Sequence, residues 1–232
     1  MTDYYLIPRE AVAMAMNYVD RMVIVLRDVH EESHHAIIEN YHFLALSCLF
    51  LACKLVHKTP HNTFINIAQM SRLSKGAFTP QDIMNMESKI LSDLHWFVHP
   101  PTAVQFLMYY MEALRLDDSS FAEQLHDQSF FLVEQAVLDY FFIDQKPSTI
   151  ALAALSNIMQ SLLPKERFAD PAKSLQAAAG LTLDSHSVRA CRERFYEIMD
   201  SIDLPPPAPA GSPDQDDTMG QRINSPVNVI HR

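Results

Sequence analysis

The chain has 232 residues, of which 48% are hydrophobic, enough to build a substantial core. It contains only four glycines where average usage would give roughly 16, and this shortage disfavours tight β-hairpins and phosphate-binding loops, which need the backbone freedom of glycine. The formal net charge of −10 argues against a protein that grips the phosphate backbone of a nucleic acid, because such a protein needs a concentrated basic surface.

Four helical patterns occupy the first part of the chain, at residues 9–26, 37–57, 62–72 and 80–96. Pro8 precedes the first pattern, in keeping with the preference for proline in the first helical turn. Thr79 followed by Pro80 predicts the N-cap and first residue of the fourth helix. The polar stretch 27–35 predicts a connector. The second pattern is apolar nearly all round in its middle, which predicts a helix at the centre of its domain.

Pro100 and Pro101 interrupt the helical patterns, and five more patterns follow, at residues 102–114, 119–143, 148–162, 172–180 and 185–202. From Pro205 onward the sequence is rich in proline, aspartate, serine and glycine and nearly lacks large apolar side chains. A segment of that composition cannot bury enough apolar surface to offset the entropy of ordering, so it is predicted to be disordered.

The two helical blocks carry related segments, LALSCLF at 44–50 and LAALSNI at 152–158. A repeat period near half the chain suggests a duplicated helical unit, since solenoid repeats have periods of about 20–50 residues. We therefore predict an all-α fold of two domains, 1–99 and 100–203, followed by a disordered tail at 204–232.

The cysteines and the longest apolar stretch indicate the cellular compartment of the protein. The three cysteines, Cys48, Cys53 and Cys191, form no C-x-x-C motif, and an odd count favours a reducing compartment. The N-terminus lacks the pattern of a signal peptide. The apolar stretch 43–56 is shorter than the ~20 residues of a membrane span and contains Lys54. We expect a protein of the nucleus or the cytoplasm, with neither a membrane nor a nucleic acid among its partners.

Three charged residues, Asp20, Lys54 and Glu87, lie where the helical spacing favours apolar side chains. Glu87, for example, stands between Ile83 and Leu91 on one helix face. An unpaired buried charge costs several kcal/mol, so such residues usually have partners. One interpretation is that each lies at a domain edge and reaches water. The other is that Lys54 and Glu87 converge as a charged pair on an otherwise apolar surface that docks a partner.

Several segments together resemble the cyclin family. AMNYVDRM (15–22), LALSCLFLACKL (44–55), MESKILSDLHW (86–96) and PPTAVQFL (100–107) resemble the cyclin box, and 132–155 with 179–199 resemble the C-terminal cyclin fold. The resemblance implies two tandem five-helix domains that bind and activate a cyclin-dependent protein kinase in cell-cycle control. It implies a regulatory subunit and not an enzyme, with no cofactor or metal, and with kinase substrates or inhibitors as further partners.

The resemblance also implies roles for particular residues. The lysine that cyclins carry at the end of the central helix falls on Lys54, and their glutamate in the last helix of the box falls on Glu87. In cyclins this pair grips the backbone around the regulatory helix of the kinase. Two apolar contacts with the kinase fall on Leu55 and Trp96, and the buried structural aspartate of the family falls on Asp20.

The sequence departs from the cyclin pattern in two places. Cyclins usually open the box with a further helix carrying an M-R-x-x-L motif, and neither that helix nor its arginine precedes the first pattern here. Either the chain is truncated or it is a divergent cyclin. The acidic pair that follows the lysine in cyclins is replaced by Val56 and His57. A cyclin-fold scaffold that does not activate a kinase, or a transcription-associated cyclin, is the alternative function.

Residues 30–34, HEESH, match the H-E-x-x-H signature of zinc metalloproteases. The motif lies in a polar connector, where no packed helix would hold the two imidazoles one turn apart. The extended signature would need Gly and His where the chain has Ile37 and Asn40. We therefore reject a zinc hydrolase and assign no metal ligands.

Ser212 and Ser225 each precede a proline in the tail, which makes them minimal proline-directed phosphorylation sites. In the second block, Asp139 is expected to be solvated or to cap a helix. The aromatic run at 140–142 lacks interleaved basic residues, so we predict that it belongs to the core and not to a base-stacking surface.

Overall fold

The computed structural model describes residue 7 and residues 9–29, 33–56 and 66–201. Within these ranges the chain is all-helical, as predicted. It forms nine α-helices and one 3₁₀ helix, Tyr140–Asp144, and no strand. The α-helices are α1 Arg9–Val29, α2 Ser33–Val56, α3 Ile67–Leu73, α4 Pro80–Asp93, α5 Ala103–Leu114, α6 Ser119–Leu138, α7 Pro147–Leu162, α8 Lys165–Ala179 and α9 His186–Ser201.

Helix α2 is the centre of the first core, as its apolar middle predicts. Every residue from Leu46 to Cys53 is buried, and α1 packs along α2 more extensively than any other helix does. The largest fully buried side chains of this core, Tyr18, Met22, Met70, Ile83 and Ile90, come from α1, α3 and α4. Burial raises the pKa of the Cys48 thiol to about 12, so this cysteine is a core residue without reactive thiolate.

Helix α7 has the same place in the second core. Every residue from Thr149 to Met159 is buried, and α7 contacts α5, α6, α8 and α9. Leu152 and Leu155 on α7 and Phe195 on α9 are fully buried, and the ring of Phe142 stacks on that of Phe195 at a centroid distance of 4.6 Å. A helix that is apolar all round needs neighbours on every side, and α7 has them.

The N-terminal cap of α4 fixes where that helix starts. The Thr79 hydroxyl accepts a hydrogen bond from the backbone N–H of Asp82 at 3.2 Å, and the Asp82 carboxylate accepts one from the N–H of Thr79 at 2.8 Å. This capping box, with Pro80 as the first helical residue, confirms the predicted start. The hydrogen bonds from Thr79 lower the pKa of Asp82.

The single helix predicted over 119–143 is wrong. Helix α6 ends at Leu138, and Asp139 adopts an extended backbone with φ −111° and ψ 118°. The Asp139 carboxylate then accepts hydrogen bonds from the N–H of Phe141 at 2.9 Å and from Nε of Arg194 at 2.7 Å. Aspartate breaks the helix because its short side chain caps the segment that follows. Its predicted capping role is thereby confirmed.

The aromatic run after Asp139 divides between core and surface. Phe142 is buried as predicted, but Tyr140 is 84% exposed and Phe141 is exposed as well. A 3₁₀ turn of this length cannot place three consecutive rings on one side, because successive side chains point about a third of a turn apart. The expectation of a wholly buried aromatic group is therefore wrong for Tyr140 and Phe141.

Other boundaries also differ from the predicted ones. The connector predicted over 27–35 is shorter, since α1 runs to Val29 and α2 starts at Ser33. Helix α8 starts at Lys165, well before the predicted 172, and continues through Pro171. Proline inside a helix usually signals an end, which is why the sequence pattern misplaced this start. The predicted end is right: Gly180 follows α8 with φ +62°, the left-handed conformation that glycine adopts without strain.

The two cores are joined through the first turn of α1. Arg9 forms an ion pair with Glu134 on α6, and Glu10 accepts a hydrogen bond from the Gln105 side chain of α5 at 3.0 Å. These contacts attach α1, which belongs to the first core, directly to the second.

Candidate functional site

Lys54 and Glu87 form an ion pair between α2 and α4. Lys54 lies in the last turn of α2, and its Nζ lies 2.5 Å from Oε1 of Glu87, in the middle of α4. The ammonium group also lies 5.3 Å from the centre of the Phe50 ring. The structure therefore brings together the two charges that the sequence singled out. A cation in the last turn of a helix is also stabilised by the carbonyl dipoles there.

The two members of the pair differ in their access to water. The Glu87 side chain is only 11% exposed, whereas that of Lys54 is 47% exposed. Glu87 therefore depends on Lys54 to compensate for its burial, while Lys54 keeps ammonium hydrogens that face outward. The pair can donate to carbonyl oxygens of a partner while its carboxylate stays fixed.

Of the two apolar residues predicted to join this pair, Leu55 is adjacent to Lys54 in the chain, whereas Trp96 lies beyond the end of α4. Leu55 follows Lys54 on α2 and is half-buried against the first core. Trp96 follows α4 and is 72% exposed, with the neighbouring Phe97 58% exposed. The structure places Leu55 next to the ion pair but leaves most of its surface in the core. Trp96 is the larger accessible apolar side chain.

The turn that carries Trp96 is not helical, although the sequence predicts a helix up to residue 96. Helix α4 ends at Asp93, and His95 and Trp96 both have left-handed backbones, with φ +51° and φ +61°. The Trp96 N–H returns to the carbonyl oxygen of Leu91 at 2.9 Å and closes the helix end. Glycine usually takes such positions, so its absence from this segment concealed the turn.

Two α1 residues that the sequence did not reveal hold this turn. The Tyr18 hydroxyl donates to the carbonyl oxygen of Val98, and burial raises the Tyr18 pKa to about 12. Arg21 donates to the carbonyl oxygen of Phe97 at 2.7 Å and to that of Leu94 at 3.5 Å. The hydrogen-bond acceptors of Tyr18 and Arg21 are backbone carbonyl oxygens more than 70 residues away in the chain. A pattern of side chains in the sequence does not predict a contact with a backbone atom.

Asp20, the expected buried structural charge, is half-buried. Desolvation raises its pKa, and none of the cations in the described ranges pairs with it. Its structural role stays a prediction.

Other predicted sites lie wholly or partly outside the described residues. Ser212 and Ser225 belong to 202–232, and residues 30–32 of the HEESH motif are also outside. Where the structure is described, no three His, Cys, Asp or Glu side chains gather as a metal site would require. In those same ranges, no helix is long and apolar enough to cross a membrane.

Comparison with known families decides which fold family these elements form. Residues 1–99 match the model described as "Cyclin, N-terminal domain", and residues 101–203 match "Cyclin, C-terminal domain". The chain belongs to the cyclin family. Its two cores are two tandem cyclin domains, and the resemblance noted from the sequence is confirmed.

Several cyclins are similar to this chain in sequence. Cyclin-B1-1 of Oryza sativa subsp. japonica is 29% identical over 154 residues, covering 62% of this chain and 33% of the relative. G1/S-specific cyclin-E of Caenorhabditis briggsae is 35% identical over 106 residues, covering 46% and 18%. G1/S-specific cyclin-D1 of Danio rerio is 25% identical over 200 residues, covering 83% and 62%. The chain thus spans less than two thirds of the length of these relatives.

Two solved structures share the fold. A viral cyclin from herpesvirus saimiri superposes with a TM-score of 0.54 at 15% identity, covering 84% of this chain and 88% of the viral cyclin. A chain of the CAK complex of Chaetomium thermophilum, solved bound to ATP-γ-S, gives a TM-score of 0.56 at 18% identity, covering 84% and 58%. At these identities the likeness concerns the arrangement of the helices.

Proposed function

We propose that this cyclin is the regulatory subunit of a cyclin-dependent protein kinase, which it binds and activates through Lys54, Glu87, Leu55 and Trp96. The observation that carries the proposal is the Lys54–Glu87 ion pair, which bridges two helices of the cyclin box with its ammonium group toward solvent. The similarity to a chain of the CAK complex, solved bound to ATP-γ-S, supports a kinase as partner.

The pair would act by gripping the backbone of the kinase beside its regulatory helix. Lys54 would donate hydrogen bonds to carbonyl oxygens, and the Glu87 carboxylate, held by Lys54, would accept from backbone N–H groups. Charge-assisted hydrogen bonds of this kind are short and directional, so they fix orientation as well as affinity. Trp96 and the exposed edge of Leu55 would add the apolar contact area on which most binding energy depends.

Activation would follow from unequal affinity for two kinase conformations. A kinase needs its regulatory helix turned inward so that a helix glutamate meets the catalytic lysine. If the cyclin contacts only that orientation fully, binding shifts the population toward it, without any chemistry by the cyclin itself. The protein would work in the nucleus or the cytoplasm, with domain limits at 1–99 and 100–203 and a tail at 204–232.

Binding of wild-type and variant protein to a panel of purified cyclin-dependent kinases tests the proposal. We expect Lys54→Ala and Glu87→Ala each to raise the dissociation constant at least about tenfold, equivalent to about 1.4 kcal/mol, by isothermal titration calorimetry. Lys173→Ala is the matched control, since this α8 lysine has a 76% exposed side chain away from the pair. Equal affinity of all four proteins would show that the interface lies elsewhere.

A further inference from the structure

The turn after α4 presents two large apolar rings to water. Trp96 and Phe97 are adjacent and both more than half exposed, and the backbone at Trp96 is left-handed without being glycine. Such a conformation is unfavourable for a side chain of this size, and solvent does not hold it in place. Something in the fold must keep this turn in its conformation.

The guanidinium group of Arg21 spans this turn. Its Nη1 donates to the Phe97 carbonyl at 2.7 Å and its Nη2 to the Leu94 carbonyl at 3.5 Å, one on each side of Trp96 in the chain. The central carbon of this guanidinium group, Cζ, lies 5.1 Å from the centre of the Phe97 ring. One planar group therefore makes two backbone contacts and a cation–π contact with the segment that carries Trp96.

Tyr18, one turn earlier on α1, extends the attachment to the end of the segment. Its buried hydroxyl donates to the carbonyl oxygen of Val98, which is itself buried. Tyr18 is part of the core, whereas Arg21 is half-buried and lies at the surface beside the rings. Of the two, Arg21 is the residue whose removal leaves the core intact.

We propose that Arg21 is a positioning residue for kinase recognition: it clamps the Leu94–Phe97 turn to α1 so that the Trp96 ring is presented in one orientation. This role rests on the proposed function, because it concerns Trp96 as a kinase contact. Arg21 acts through Trp96 and needs no contact with the kinase. Without the clamp the turn samples further conformations. The apparent affinity for the kinase then falls in proportion to the fraction of molecules whose turn still has the binding-competent conformation.

The chain offers a specific probe, because Trp96 is its only tryptophan. Protein labelled with 5-fluorotryptophan gives one ¹⁹F resonance, and time-resolved fluorescence anisotropy of the unlabelled protein reports the motion of the same ring. Both measurements are made on the free cyclin, and kinase affinity is measured separately. The variants are Arg21→Ala and Arg21→Lys, with Arg189→Ala, an exposed arginine of α9, as the matched control.

We expect Arg21→Ala to shift the ¹⁹F resonance toward that of free 5-fluorotryptophan, to increase fast ring motion and to weaken kinase binding about five- to tenfold. Arg21→Lys, with one donor group in place of a fork, should be intermediate in all three. Lys54→Ala should weaken binding without moving the resonance, and Arg189→Ala should change nothing.

If folded Arg21→Ala gives the same ¹⁹F resonance and the same anisotropy as the wild type, Arg21 does not clamp the turn. If the Trp96 ring becomes mobile but the affinity for the kinase is unchanged, Arg21 is not a positioning residue for kinase recognition. Far-UV circular dichroism confirms folding, and Arg21→Lys repeats the test if the alanine variant unfolds. Wild-type protein that binds no kinase would instead overturn the proposed function, and this role with it. The two failures are therefore distinguishable.

Discussion

Exchanging the charges of Lys54 and Glu87 will restore the stability that a single reversal removes, but it will not restore kinase binding. Lys54→Glu alone places a second carboxylate against the buried one and should cost about 2 kcal/mol of unfolding free energy, less than a fully buried pair would lose because Lys54 is half-exposed. The same variant should weaken kinase binding on the order of 100-fold, about 2.8 kcal/mol.

The double variant Lys54→Glu/Glu87→Lys separates the two effects. It rebuilds an ion pair between α2 and α4, so the urea denaturation midpoint should return toward the wild-type value. The group that faces a partner is now a carboxylate, which repels the backbone carbonyls that an ammonium group would bind. Calorimetric titration should therefore still show affinity weakened about 100-fold.

The Lys89–Asp93 pair on α4 is the matched control for this exchange. It is also an ion pair, at 2.8 Å, but its partners lie one turn apart on the same helix, with the Lys89 side chain 52% and the Asp93 side chain 23% exposed. Exchanging its charges should change stability by less than about 0.5 kcal/mol and leave binding unaffected. Wild-type affinity in the Lys54/Glu87 exchange would show that the partner does not recognise the polarity of the pair.

Leu155→Ala will destabilise the second domain by about 2–5 kcal/mol. Leu155 is fully buried on α7, where every residue from Thr149 to Met159 is enclosed, so the surrounding helices cannot collapse into the space left by the side chain. The free energy of unfolding of a whole domain is only about 5–15 kcal/mol, so this single substitution removes a large part of it. Urea denaturation followed by circular dichroism measures the loss.

Leu138→Ala is the matched control for the core variant. It removes the same atoms from a leucine that is 80% exposed at the end of α6, and it should change the unfolding free energy by less than about 0.5 kcal/mol. Similar losses in the two variants would mean that α7 is not the centre of the second core.

Most of the helices and both core centres could be predicted from the sequence, because periodic apolar residues report burial directly. Helix ends were harder. Asp139 ends α6 through a local side-chain hydrogen bond, and His95 and Trp96 end α4 in a conformation that the sequence does not mark with glycine. Each of these ends depends on geometry at one or two residues, which a pattern averaged over several turns does not resolve.

Of the residues at the candidate site, some could be predicted from the sequence and others could not. Lys54 and Glu87 could be singled out because charged residues at apolar positions of a helix need partners, and each is the partner of the other. Arg21 and Tyr18 could not, because their acceptors are the carbonyl oxygens of Phe97 and Val98. Every residue has a carbonyl oxygen, so the residue types in the sequence do not show which carbonyl oxygen accepts the hydrogen bond.

The most direct test of kinase activation is the rate at which a cyclin-dependent kinase phosphorylates a peptide substrate, alone and with a saturating amount of this cyclin. If binding moves the active kinase conformation from about 1% to most of the population, the rate will rise on the order of 100-fold. The Lys54/Glu87 exchange at the same concentration should give little stimulation. A kinase that binds the wild-type cyclin tightly but phosphorylates no faster would contradict the account and identify the protein as a cyclin-fold scaffold.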